Sequence, residues 1–168
     1  MDKHDKILIA VNDTDASRKA VTYVARLMGG RADVHVRLFH VLPPTPPELL
    51  ESGGTEDPNQ EEQLSTELRR TRLQWTEQAK QAALPSLEAA SQVLVKHGLD
   101  ARHITTAFSA SIHKPDVVRE VIEAATQWDC ATIVVGRHAL PWVKEMFYRH
   151  VGEELLQHAQ GFAVWVVE

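Results

Sequence analysis

The sequence predicts an α/β fold: a single domain with a five-stranded parallel sheet and helices on both faces, a three-layer αβα arrangement. Three observations predict it. Short Val- and Ile-rich runs alternate with helical periodicities in the order βαβ(loop)αβαβαβ. The stretch Thr132 to Val167 reads strand, loop, helix, strand without interruption. Its two apolar runs, from Ile133 and from Phe162, lack polar alternation, as expected of parallel strands buried on both faces.

Each element has its own signal. Lys6 to Asn12 reads as the first strand. Asp13 and Thr14 then offer helix-capping oxygens. Ala16, Ala20, Val24 and Leu27 recur at helical spacing toward a stop at Gly29-Gly30. Val34 to Leu42 reads as the second strand, completing a right-handed parallel unit. Residues 43–59 hold proline, glycine and acid without periodicity, so they read as an inserted loop. The loop leaves the carboxyl end of a strand, where open α/β sheets bind ligands. It reads either as a lid or as a partly disordered surface loop.

Gln60 to His97 is a long amphipathic helix. Leu64, Leu68, Trp75, Ala79, Ala83, Leu87, Ala90 and Leu94 lie close to one stripe. Pro85 is expected to kink or interrupt it. Trp75 reads as core packing, with adenine stacking as the alternative. Ala101 to Phe108 reads as a third strand whose mixed polarity suits a sheet edge, with Ile104, Thr106 and Phe108 alternating. Pro115 marks a first helical position, followed by Asp116. Val118, Val121, Ile122 and Ala125 carry that helix to Trp128. Cys130 reads as an inert, half-buried thiol. Beyond residue 136, a polar loop with Pro141 leads to a helix with Val151, Leu155 and Leu156 on one face, ended by Gly161.

Length and composition narrow the class. At 168 residues the chain is one domain, 1–168, with one sizeable core. Its apolar runs are far too short to span a membrane. The charged opening MDKHDK carries no secretory signal. A single cysteine permits no internal disulfide and fits a reducing cytoplasm. A net charge of -5 gives no electrostatic reason to bind nucleic acid or anionic lipid.

Two stretches resemble the universal stress protein family. Members commonly read V-D-G-S-x-x-S after the first strand and H-V after the second. Here those are Val11-Asn12-Asp13-Thr14-Asp15-Ala16-Ser17 and His40-Val41. Many members carry G-x2-G-x9-G-[ST] after the fourth strand, where the loop wraps the phosphates of ATP. On this sequence those positions are Gly136, Ala139, Arg149 and His150. The resemblance implies strand order 3-2-1-4-5, a Rossmann-like or flavodoxin-like sheet of the adenine nucleotide alpha-hydrolase-like kind. It also implies a nucleotide or anion site drawn from Asn12, Val41, Val135, Gly136, Arg137, Ala139, Arg149 and His150. A symmetric homodimer through the last strand, Val164, Trp165, Val166 and Val167, is implied as well, with Trp165 as anchor. The alternative is that helices cover that strand within the monomer.

The substitutions at the implied site bear on its chemistry. Glycines let backbone N–H groups close on phosphate oxygens. Arg149 puts a long side chain there instead, and His150 replaces a hydroxyl cap. The family aspartate falls on Asn12, which brings no charge. Losing two charge-assisted phosphate contacts of roughly 1.5–3 kcal/mol each weakens affinity roughly a hundredfold to ten-thousandfold. Against this, Arg149 is a cation that pairs well with phosphate and could rebuild an anion site with Arg137, His138 and His150.

The expected function is therefore a non-catalytic stress-response or interaction module in the cytoplasm, with an unidentified protein partner. The alternative is an ATP-binding switch with a rebuilt phosphate site at Arg149, and a small-molecule enzyme ranks third. The chain has no Walker loop, no G-x-G-x-x-G, no H-E-x-x-H and no G-x-S-x-G. Its nine histidines never fall at i, i+4 on a predicted helix, so no metal site is expected. His35 and His40 are expected to be satisfied by local hydrogen bonds.

Overall fold

Five parallel strands form one sheet in the order β3-β2-β1-β4-β5. They are β1 (Lys6–Ala10), β2 (His35–His40), β3 (Ile104–Phe108), β4 (Thr132–Gly136) and β5 (Ala163–Val167). The computed structural model describes residues 5–50, 57–110, 116–137 and 151–168. This is the expected fold class and strand order. The order reverses between β1 and β4, which creates a crevice at their carboxyl ends.

Helices cover both faces. α1 (Asp15–Met28) and α2 (Pro58–Lys96) pack on one, α3 (Val117–Gln127) and α4 (Val151–His158) on the other. The first interface closes Val21 and Val24 of α1 and Leu87 and Leu94 of α2 over Ile7, Ile9, Val36 and Leu38. The second closes Val118 and Val121 of α3 and Leu155 of α4 over Leu8, Phe39, Ile133 and Val135. Side-chain oxygens cap three helices as small polar residues do. Thr14 accepts from the Ser17 amide, Asp57 from Asn59 and Asp116 from Arg119.

Several expectations need correction. β1 ends at Ala10 rather than Asn12, because the Asn12 amide turns to donate to Ser17 Oγ at 3.0 Å. β2 spans His35–His40, shorter than Val34–Leu42. A 3₁₀ turn, Ala101–His103, precedes β3, and Thr106 is exposed instead of alternating inward. Asp116 is the cap of α3 rather than its second residue; Pro115 lies outside the described residues. Within the 43–59 stretch, Pro47–Leu49 forms a 3₁₀ turn and Pro58 already belongs to α2.

α2 departs most. It runs 39 residues straight through Pro85, which does not interrupt it. Pro85 is exposed, so water can take the carbonyl that its missing N–H leaves unpaired. Only Ala83, Leu87, Ala90 and Leu94 of the expected stripe are buried. Leu64 is 45% exposed; Leu68, Trp75 and Ala79 are half-buried. Arg72 donates to the carbonyls of Leu49 and Leu50, tying the 3₁₀ turn to the less buried half.

Three burial expectations also change. Cys130 is fully buried, not half-buried. Leu156 is exposed while its neighbour Leu155 is in the core. β4 is buried at every residue, whereas β5, an edge strand, has no fully buried residue.

The histidines couple the fold to pH. His40 Nδ1 lies 2.8 Å from the Val11 carbonyl. A carbonyl can only accept, so Nδ1 carries the proton. Burial lowers the pKa of His40 against a smaller opposing effect of this bond. His35 makes a ring stack with His103 at 4.0 Å rather than the expected local hydrogen bond. Its pKa is also lowered, first by burial and then by His103 and Lys6. Both groups bind protons less well folded than unfolded, so folding stability is full above the unfolded value of about 6.5. It is lost as pH falls below that value. Urea titrations are expected to show constant stability from about pH 8 to pH 6.5 and a decline toward pH 5. The decline is expected to be shallower in His40→Gln. An equal slope in the variant would remove His40 from this account.

Candidate functional site

The crevice at the carboxyl ends of β1 and β4 gathers Asn12, Val41, Val135, Gly136 and Arg137. Ala139, Arg149 and His150 lie outside the described residues, as does His138. Val135 and Val41 are core residues at 0% and 3% exposure, so only their backbone could face a ligand.

Gly136 is placed by close packing. A Cβ there would lie 2.4 Å from the Ala16 carbonyl carbon and 2.5 Å from its oxygen, both backbone atoms. The end of β4 thus runs directly against the first turn of α1. No other residue type fits without moving that turn.

Asn12 is 6% exposed, and its side-chain oxygen is already engaged. Oδ1 accepts from the Thr14 amide at 3.1 Å and from Thr14 Oγ1 at 2.6 Å. This is the local turn that Asn side chains favour. Ser17, buried at 2%, holds the Asn12 amide through Oγ. The first turn of α1 is also screened by charge. Arg18 pairs with Asp13 at 2.9 Å and with Asp15 at 2.7 Å. Hydrogen bonding to Arg18 holds the Asp15 carboxyl below its usual range. These two carboxylates occupy the helix end where a phosphate would otherwise be favoured.

Arg137 is bound at both ends. Its amide donates to the Val167 carbonyl at 2.9 Å, and its guanidinium pairs with Glu168. Sequence reasoning placed Arg137 at the site but gave no partner for it. Three other contacts were also missed. His40 reaches the Val11 carbonyl, Ser109 Oγ accepts from the Leu42 amide at 2.9 Å, and the Ser109 amide donates to His40. Each joins segments remote in sequence, and nothing local announces them. Ser17 was visible within the quoted motif, though its bond to Asn12 was not.

Comparison with known proteins now decides the family. The model of the universal stress protein family matches residues 3–168. The chain belongs to the universal stress protein family. No curated protein sequence matches the chain. Among solved structures, a universal stress family protein from Burkholderia pseudomallei is 15% identical with a TM-score of 0.61, covering 99% of this chain and 98% of that one. The universal stress protein from Archaeoglobus fulgidus in complex with dAMP is 16% identical with a TM-score of 0.55, covering 99% and 100%. A universal stress protein in complex with cAMP is 10% identical with a TM-score of 0.60, covering 99% of each chain. At these identities the likeness is one of fold. Among the described residues, no helix is long and apolar enough to cross a membrane, and no group of three or more His, Cys, Asp or Glu could hold a metal.

The glycine contact is testable. Gly136→Ala overpacks a backbone-to-backbone approach and is expected to cost about 1–3 kcal/mol or more in urea denaturation. Unchanged stability would show that the α1 turn moves freely.

Proposed function

We propose that this universal stress protein works as a non-catalytic, dimeric interaction module that does not hold ATP through the family's usual loop. One observation carries the reading: the polar groups at the crevice are used internally. Asn12 Oδ1 is spent on Thr14, Arg137 on Glu168, and Arg18 on the two aspartates of the helix end. An incoming nucleotide would have to break the Arg137 and Arg18 pairs to gain a cation for its phosphates, and the Asn12–Thr14 bonds to place a ribose hydroxyl on Oδ1.

The dimer reading rests on the β5 edge. Among the described residues β5 pairs only with β4, leaving one side of its backbone open. Val166 is 36% exposed, and Val164, Trp165 and Val167 are half-buried. Trp165 packs edge-on against Tyr23 at 6.0 Å, so part of its surface is covered within the monomer. A groove of about 570 Å³ continues this surface between α1 and the end of β5, lined by Tyr23, Val167, Arg26 and Glu168. An open apolar edge of this kind favours pairing with a second copy.

The second reading is a nucleotide switch using Arg149. Its support is the family itself, in which solved members are in complex with dAMP and with cAMP. Calorimetric titration with Mg-ATP separates the two. Under the first reading no heat is expected up to millimolar ATP. Micromolar binding that disappears in Arg149→Ala would replace it with the second. Binding that improves in that variant would identify Arg149 as a plug.

Sedimentation tests the dimer. The wild type is expected to sediment as a dimer and Val166→Lys as a folded monomer. A wild-type monomer, or a variant that remains dimeric, would reject the edge as the interface.

A further inference from the structure

The opposite, amino end of the sheet carries a second polar cluster. Lys6 of β1 is in register with His35 of β2, and Arg37 with Thr105 of β3. Register partners share a face of the sheet. His103, from the 3₁₀ turn before β3, stacks on His35 at 4.0 Å. Arg37 Nε donates to Thr105 Oγ1 at 3.3 Å, and its guanidinium lies 4.6 Å from the Trp128 ring centre. Lys6 Nζ donates to the Trp128 carbonyl at 3.2 Å.

This cluster is built for a charge it does not contain. Arg37 is half-buried, and among the described residues it has no carboxylate partner. The arginines that do have a carboxylate partner are more exposed, at 51–85% of their side chains. A guanidinium over an aromatic ring can still offer N–H groups to a planar or tetrahedral oxyanion. His103 Nδ1 is buried with no hydrogen-bond partner, and buried polar atoms are seldom left so. The nearby carboxylates are few. Asp100 is clamped by Arg102, and Asp5 is the one that acts on His35. Thr105 is exposed, so the cluster opens to solvent.

We propose that the amino-end face of β1, β2 and β3 binds a phosphate-type oxyanion, with Arg37 as the principal contact and Thr105, His35 and His103 beside it. The oxyanion is free phosphate or the terminal phosphate of a small metabolite. The site is distinct from the carboxyl-end crevice, since along β2 Arg37 lies roughly 10 Å and His35 roughly 17 Å before His40. It does not depend on whether that crevice takes nucleotide.

A protonated His35 would add a positive charge on the same face as Arg37. The charged or titratable groups that act on His35 are Asp5, just before β1, Lys6 of β1 and His103 of the turn, with Arg37 two residues along β2. Arg37 and Lys6 hold the positive field, and Asp5 opposes it.

The test is titration of the whole chain with inorganic phosphate and, separately, with glycerol phosphate, followed through the histidine ring signals by NMR. Chloride at matched ionic strength is the control. Saturable shifts of the His35 and His103 ring signals are expected. Arg37→Gln is expected to weaken binding about tenfold or more. Asp5→Asn is expected to tighten it, which guards against a loss caused by misfolding alone. Response to phosphate only would mark a free-anion site; response to both would mark a site for a terminal phosphate. No saturable shift at millimolar concentrations of either, or full affinity in a folded Arg37→Gln, would overturn the proposal.

Discussion

The contact between Gly136 and the first turn of α1 governs the carboxyl edge of the sheet. β4 can end there only because no Cβ separates it from the Ala16 carbonyl. The approach pins the amino end of α1 over the junction of β1 and β4. From that position Ser17 reaches the Asn12 amide, and Thr14 fills the Asn12 side-chain oxygen. The glycine that heads a phosphate loop in many family members is thus already committed to packing here. The resulting cap is neutral inside and acidic outside, where Asp13 and Asp15 flank Arg18.

The fold was legible because its signals are local and repeated. Val- and Ile-rich runs, small polar caps at Thr14 and Asp116, and amphipathic helices agree at every step. What was not legible depends on neighbours. Nothing in Ala163–Val167 says that, among the described residues, it pairs on one side only; position in the sheet decides that. Leu156 looks like Leu155 in the sequence, yet helix orientation sends it to solvent. Pro85 breaks most buried helices, but on an exposed face its unpaired carbonyl has water. Strand ends were overrun by two residues where Val11 and Asn12 still look extended.

The site was half legible. Family resemblance brought Asn12, Gly136 and Arg137 to one place, and the sheet puts them there. It could not show their partners. Arg137 meets Glu168 just past the carboxyl ends of the parallel neighbours β4 and β5, and His40 meets Val11 from a position 29 residues away. Such pairs leave no periodic trace. They decide whether a polar group is available to a ligand, so chemistry was read less surely than architecture.

The two edges of the sheet are treated differently, and this has a consequence for assembly. β3 is guarded. Its Thr105 and Thr106 are exposed and polar, Arg37 lies across its neighbour, and Lys80 of α2 sits 5.8 Å from the Phe108 ring. A strand bordered by cations and hydroxyls resists pairing with another chain. β5 differs: all five of its residues are apolar, Arg137 and Glu168 pair at its end, and among the described residues no third strand lies beside it. In the proposed dimer, twofold pairing through β5 would leave the two β3 strands as the outer edges. The same asymmetry keeps the polar face beside β3 open to solvent.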